Sequence, residues 1–202
     1  MKAFILNCTL KQSPSLSNTE ALADVLRKEL ETRGVQAEIY RLADYNVPPG
    51  TASDEGEHDE WPQLRQKILG ADIFIMASPT WVGRMSSMAM KAIERMDAML
   101  SEKDEDSRPV TFNHVAGFVV TGNEDGAKHT IGEMIAALVE LGFTVPGQAW
   151  TYWNNGAAIG DSYLDSGDEQ GKQRAASNAK LAAHVLVETA EALAAKPIAP
   201  PS

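Results

Sequence analysis

The chain has 202 residues, 44% of them hydrophobic and 23% charged, a composition that fits one globular domain with a sizeable core. Its formal net charge of −10 argues against a nucleic-acid surface, which needs clustered Lys and Arg, but leaves small anions open, because helix-terminal amides hold them without a basic protein. The single cysteine, Cys8, excludes an internal disulfide, a Cys-rich zinc site and an iron–sulfur cluster, and within "AFILNC" it reads as a core residue rather than a reactive thiol.

In chain order, "KAFILNC" (2–8) is the continuous apolar run of a strand buried on both faces. The N-terminus is too short on apolar residues for a signal peptide, and no stretch approaches the roughly 20 needed to span a bilayer, so a cytoplasmic setting is expected. Ser17 and Glu20 then form the S-x-x-E pattern of a capping box, Leu22, Val25, Leu26 and Leu30 recur at helical spacing, and Gly34 supplies the stop. "VQAEIYRL" (35–42) alternates as a strand does, and a long loop with Pro48, Pro49, Gly50 and the acidic "DEGEHDE" (54–60), read as solvated, precedes a short helix at 61–70.

"DIFIMAS" (72–78) is a second fully apolar strand that runs into the loop "SPTWVGR" (78–84). A Met-rich helix over 86–100 places Met88, Ile93, Met96 and Leu100 on its apolar side, and "SEKDEDSR" (101–108) reads as a solvated charge run. "HVAGFVVTG" (114–122) is the next strand, and a helix over 126–141 runs through Ile131, Ile135, Leu138 and Val139 to Gly142. A short strand near 143–149 and a long Ala-rich helix over 169–194 complete one domain, 1–196, followed by a flexible tail, 197–202.

Strand–helix alternation with apolar strands means an α/β fold, a parallel sheet covered by helices on both sides, with functional loops at the carboxyl ends of the strands. The loops 9–19, 78–84 and 121–129 share that edge. In the first, Ser17, Asn18 and Thr19 open a helix where free amides favour an anion, and hydroxyls in place of glycines suit a phosphate monoester better than a dinucleotide pyrophosphate. A plain N-cap with a polar turn explains the loop equally well. In the second, Pro79 stiffens the chain, Gly83 permits close approach and Trp81 offers an apolar face to a flat aromatic ring, or simply covers a helix end. The third, "TGNEDGAKHT" (121–130), wraps such a ring from the other side or is an ordinary Gly-rich turn. His129 reads as a solvated helix position. No G-x-S-x-G elbow and no metal-ligand spacing of His with carboxylates is present in the sequence.

These loops, above all "SPSLSNT" and "SPTWVGRMSSMAMKAIER", resemble those of the flavodoxin-like superfamily, and within it the NADPH-dependent FMN reductase and NAD(P)H:quinone oxidoreductase branch. The resemblance spans nearly the whole chain in element order. It implies a flavodoxin-like three-layer sandwich, a five-stranded parallel sheet in order 2-1-3-4-5, and FMN held noncovalently. Residue by residue it implies that Thr9, Ser17, Asn18 and Thr19 bind the FMN phosphate. Pro79, Thr80, Trp81, Val82 and Gly83 would line the isoalloxazine ring, and Thr121, Gly122 and Asn123 would approach its other edge. The first loop is longer than the family's pattern, which leaves Ser13 and Ser15 outside it, and the third lacks the aromatic residue that many members stack on the flavin. Trp150, Tyr152 and Trp153, in "AWTYWNN", are the substitutes in view, from this chain or a neighbouring subunit.

The activity so implied is that of an FMN-dependent NAD(P)H oxidoreductase. It passes hydride from NADH or NADPH through flavin N5 to a quinone or similar small acceptor, with no catalytic side-chain acid or base and no metal, as a homodimer or homotetramer. The alternative is a flavodoxin-type electron carrier without a nicotinamide site, whose acidic surface suits a basic partner. A third option is a flavin-free α/β scaffold acting through protein contacts.

Overall fold

The computed structural model describes residues 1–200. Along the chain lie β1 (Lys2–Asn7), α1 (Asn18–Glu31), β2 (Gln36–Arg41), α2 (Trp61–Leu69), β3 (Ile73–Trp81), β4 (Arg84–Met85), α3 (Ser87–Arg95), β5 (Val115–Gly122), α4 (Ala127–Glu140), β6 (Trp150–Asn154) and α5 (Glu169–Ala195). The main sheet runs β2-β1-β3-β5-β6 with every neighbour parallel, and β4 pairs antiparallel with the end of β3. Counting the parallel strands alone, this is the expected order 2-1-3-4-5, a flavodoxin-like sheet.

Alternation along the central strands sends side chains to two separate cores. Phe4, Leu6, Phe74, Met76 and Phe118 face α2, α3 and α4 through Leu64, Ile68, Ala89, Met96 and Met134. Ile5, Ile75 and Val119 face α1 and α5 through Leu22, Leu26, Ala179, Ala183 and Leu186. The alanines of α5 bring that helix close to the sheet, and Gly117 in β5 completes the fit: a Cβ there would lie 2.8 Å from Ala149 O and 3.0 Å from Leu186 Cδ1. Cys8 is fully buried, and burial pushes its thiol pKa far up, as befits an inert core residue.

Several expectations are corrected. The fifth parallel strand is not 143–149 but Trp150–Asn154. Thr144 makes one isolated bridge to Val115, after which Pro146 lacks an N–H for the ladder and Gln148 turns to φ +66, so pairing resumes only at Trp150. The helix expected over 86–100 ends at Arg95, and a single 3-10 turn follows at Asp97–Leu100. Its buried side is Ala89, Ala92, Met96 and Met99, while Leu100 is half exposed. On α4 Val139 is likewise half exposed, and Met134 fills the core.

The largest correction concerns the acidic loop: the Asp59 side chain is not solvated but fully buried against an equally buried Arg95, at 2.6 Å. Of the expected tail, residues 201–202 lie outside the described residues, and the Ile198 amide donates to Asn113 Oδ1 at 2.7 Å. Among the described residues no helix is long and apolar enough to cross a membrane.

Candidate functional site

The carboxyl edge of the sheet gathers the three loops, and one buried residue organises the first of them. Asn7, the last residue of β1, accepts from the Thr9 amide through Oδ1 (3.2 Å) and donates through Nδ2 to Ser17 Oγ (3.4 Å) and Glu20 Oε2 (3.0 Å). Ser17 caps α1 by accepting the Glu20 amide at 3.1 Å. Glu20 does not complete a reciprocal capping box; its carboxylate goes to Asn7 and to Arg41, whose Nη1 also donates to Ser15 O at 2.7 Å. The bond to Glu20 outweighs burial and holds the Arg41 pKa above its ordinary value. Ser13 is drawn away from the cleft: its amide and hydroxyl both donate to the Asp44 carboxylate at 2.7 Å.

In the second loop β3 runs on through Pro79 to Trp81, and residues 81–84 form a hairpin. A serine pair pins its base: the Ser86 amide donates to Ser78 Oγ (3.0 Å), and Ser86 Oγ donates to Cys8 O (2.6 Å) while capping α3. The hairpin tip uses positive φ at both central residues, Val82 (+51) and Gly83 (+73), as a primed turn requires. It is tied to the third loop by Gly83 N–H to Glu124 Oε1 (3.3 Å) and to α4 by Arg84 to Glu133 (2.6 Å). Gly126 (φ +120) allows the two loops to touch backbone to backbone, since a Cβ there would lie 2.7 Å from Gly83 Cα. A β-branched residue at positive φ is strained, and Val82, 90% exposed, has little packing to offset it. Val82→Asn is therefore expected to stabilise the fold by about 1 kcal/mol, read as a rise of about 2–4 °C in Tm.

These loops enclose one cleft. Its wall brings together Thr9, Ser17, Asn18, Thr19, Pro79, Thr80, Trp81, Thr121, Gly122 and Asn123, and the Thr19 and Thr121 hydroxyls bond at 2.8 Å across it. Val82 and Gly83 are not in the wall; they form the hairpin tip. Four wall residues escaped sequence reading: Leu10, Lys11, Ser162 and Tyr163. Lys11 belongs to the first loop, where a cation beside hydroxyls was the available signal. Ser162 and Tyr163 lie in an aperiodic polar stretch, 155–168, which straps the cleft between β6 and α5 and carries no such signal.

Trp153 does not present a stacking face. It is 2% exposed, packed in the α1/α5 core with Tyr163 edge-on at 5.7 Å. Trp150 and Tyr152 point to the opposite core, each ring centroid 5.4 Å from Lys128 Nζ. His129 sits outside the cleft, 3.4 Å from Glu133.

The wall is chemically one-sided. In a chain of net charge −10, its one charged side chain among the described residues is the cation Lys11. The α1 amides of Glu20 and Ala21 are taken by Ser17, which leaves the first-turn N–H groups of Asn18 and Thr19 free. Thr80 Oγ1, on a residue 2% exposed, has no hydrogen-bond partner. An unmet buried polar atom, free amides, hydroxyls and a lone cation fit a phosphomonoester at the helix start with a heteroatom-bearing ring beyond it, the two parts of FMN.

Residues 1–158 match the family model described as NADPH-dependent FMN reductase. The chain is 35% identical over 174 residues to the 8-demethyl-8-aminoriboflavin-5′-phosphate synthase of Streptomyces davaonensis, covering 82% of this chain and 68% of that protein. It is 37% identical over 171 residues to the divalent metal cation transporter MntH of Mycobacterium bovis, covering 83% of this chain, and it spans only a quarter (25%) of that relative's length. The crystal structure of RosB with bound 8-demethyl-8-formylriboflavin-5′-phosphate superposes with a TM-score of 0.89 at 31% identity, over 98% of this chain and 82% of that one. With more than three quarters of its length inside the family model, the chain belongs to the NADPH-dependent FMN reductase family of FMN-binding flavoproteins.

Proposed function

We propose that the cleft holds FMN and that the protein is an FMN-dependent NAD(P)H oxidoreductase serving a quinone or similar small acceptor. The observation that carries the reading is the donor set at the start of α1. The free amides of Asn18 and Thr19, the hydroxyls of Thr9, Ser17 and Thr19, and Lys11 surround a space with no carboxylate in its wall. When bound, FMN supplies hydride acceptance and delivery. The chain's own residues do the rest: the α1 start holds the phosphate, Thr80, Trp81, Thr121, Gly122 and Asn123 flank the ring, and hydroxyls and backbone groups orient it. Trp81, 50% exposed at the mouth, leaves the cleft open to a second substrate. Exposed apolar side chains in the loops about the cleft, Leu10 and Trp81 in its wall and Val82 at the hairpin tip, support a homodimer or homotetramer, and a lone buried Cys8 suits a reducing cytoplasm.

A second reading has its own support. The Streptomyces relative is named as a synthase of an aminoriboflavin phosphate, and the RosB structure holds a formylriboflavin phosphate, which favours riboflavin 5′-phosphate as substrate rather than cofactor. One experiment separates the two. The FMN-loaded protein is mixed anaerobically with NADH or NADPH, then with a quinone, while its visible spectrum is followed. A parallel sample is incubated in air with an amino-group donor, because turning a ring methyl into a formyl or amino group needs an oxidant and a source of nitrogen, and its extracted flavin is weighed by mass spectrometry. The expected result is bleaching by one or both nucleotides, recovery on quinone, and a flavin of unchanged mass. A flavin that neither nucleotide reduces sinks the reductase reading, and a changed mass establishes the substrate reading instead.

A further inference from the structure

The strap 155–168 is fastened to the cleft at three points, each ending on a wall residue. The Asn155 amide donates to Gly122 O (3.2 Å), the Gly160 amide to Asn123 O (2.9 Å), and the Leu164 amide to Asn18 Oδ1 (2.8 Å). The third bond has a chemical consequence. A carboxamide has one oxygen and one NH2, and with Leu164 on the oxygen, Asn18 is left to offer its donor end. Just before Leu164, Ser162 and Tyr163 enter the same wall, and neither hydroxyl makes a hydrogen bond among the described residues.

The Tyr163 ring is held edge-on to the buried Trp153, with Lys172 Nζ 5.8 Å from its centroid. Burial first, and Glu169 second, push the Tyr163 pKa above its ordinary value, so the hydroxyl stays a donor at neutral and mildly alkaline pH. A phosphate dianion is all acceptor. With Lys11 as the one cation in the wall, much of its coordination must come from neutral donors, and the strap carries two that are otherwise unused.

Resting on the reading of the cleft as a riboflavin 5′-phosphate site, we propose that the strap is a phosphate-reading wall. Ser162 and Tyr163 donate to the phosphoryl group, and Asn18, turned donor-end inward by Leu164, couples the strap to it. The phosphorylated flavin then fastens the strap, and riboflavin, which lacks that group, does not.

The test titrates FMN and riboflavin into the wild-type protein, into Ser162→Ala/Tyr163→Phe and into Ser17→Ala/Thr19→Ala, with hydrogen exchange followed over 158–168. Tyr163→Phe keeps the ring against Trp153. The strap variant is expected to lose about tenfold in FMN affinity while riboflavin changes by less than about twofold. FMN, but not riboflavin, is expected to protect the strap amides. Equal losses for both ligands, no loss for either, or equal protection by both overturns the proposal. If the wild type prefers FMN and the preference falls with Ser17→Ala/Thr19→Ala but not with the strap variant, the strap inference alone fails. If the wild type binds both ligands equally, the phosphate site itself fails and takes this inference with it.

Discussion

Replacing Asp59 by Asn is expected to destabilise the fold by about 3–5 kcal/mol, because it strands the charge of a fully buried arginine. Asp59 Oδ2 accepts from Arg95 Nη2 (2.6 Å) and from the Glu55 amide (2.9 Å), and Oδ1 accepts from the Trp61 amide (2.9 Å). Arg95 also donates to Pro48 O at 3.2 Å and lies over the Trp61 ring, its carbon 5.9 Å from the centroid. One carboxylate thus binds the long 46–60 loop to the start of α2 and to the end of α3. Burial works to raise its pKa, but the two amides and Arg95 prevail and hold it below the usual carboxylate range.

The sign follows from that depression. The stabilisation is complete above the unfolded value of about 3.9 and is lost as pH falls through the lower folded value. Chemical denaturation should show a lower midpoint for Asp59→Asn at pH 7 and a flatter stability curve below about pH 4 than the wild type. An unchanged midpoint would mean that the pair contributes nothing. Because the pair lies on the α2/α3 side, flavin affinity per folded molecule should not change.

How far the sequence could be read depended on where each residue finds its partner. β1, β3 and β5 announce themselves as unbroken apolar runs, and α1 does so through Ser17 and its leucines, because those signals are local. Asp59 does not, since an acidic run looks solvated until Arg95, 36 positions later, is brought beside it by packing. The placement of β6 failed for a similar reason: Trp150–Asn154 and 143–149 are both apolar enough, and the ladder with β5 chooses between them. In the cleft, ten residues of the wall lie in loops whose composition pointed to them, while Ser162 and Tyr163 owe their place to backbone bonds from the strap to Gly122, Asn123 and Asn18. Trp153 shows the converse. Its type suggested a flavin-stacking face, and the parity of β6 turned it into the core.

Ser17→Ala with Thr19→Ala is expected to weaken FMN binding about a hundredfold and riboflavin binding by less than about threefold, since two charge-assisted hydrogen bonds to the phosphate are removed and contacts to the ring are not. Both hydroxyls already have internal partners, so the loss has to be separated from damage to the fold. Ser17 Oγ accepts from the Glu20 amide and from Asn7, which leaves its own proton to donate toward the cleft. Thr19 Oγ1 shares a hydrogen bond with Thr121 Oγ1. Removing the cap costs about 1 kcal/mol of stability, whereas Gly at the same position costs only a few tenths. Ser17→Gly/Thr19→Ala should therefore lose FMN as heavily as the alanine pair while keeping most of the stability, and the penalty should shrink as salt screens the phosphate. If FMN and riboflavin weaken by the same factor in both variants, the hydroxyls shape the loop rather than bind the phosphate. The free amides of Asn18 and Thr19, with Lys11, would then carry the anion without them.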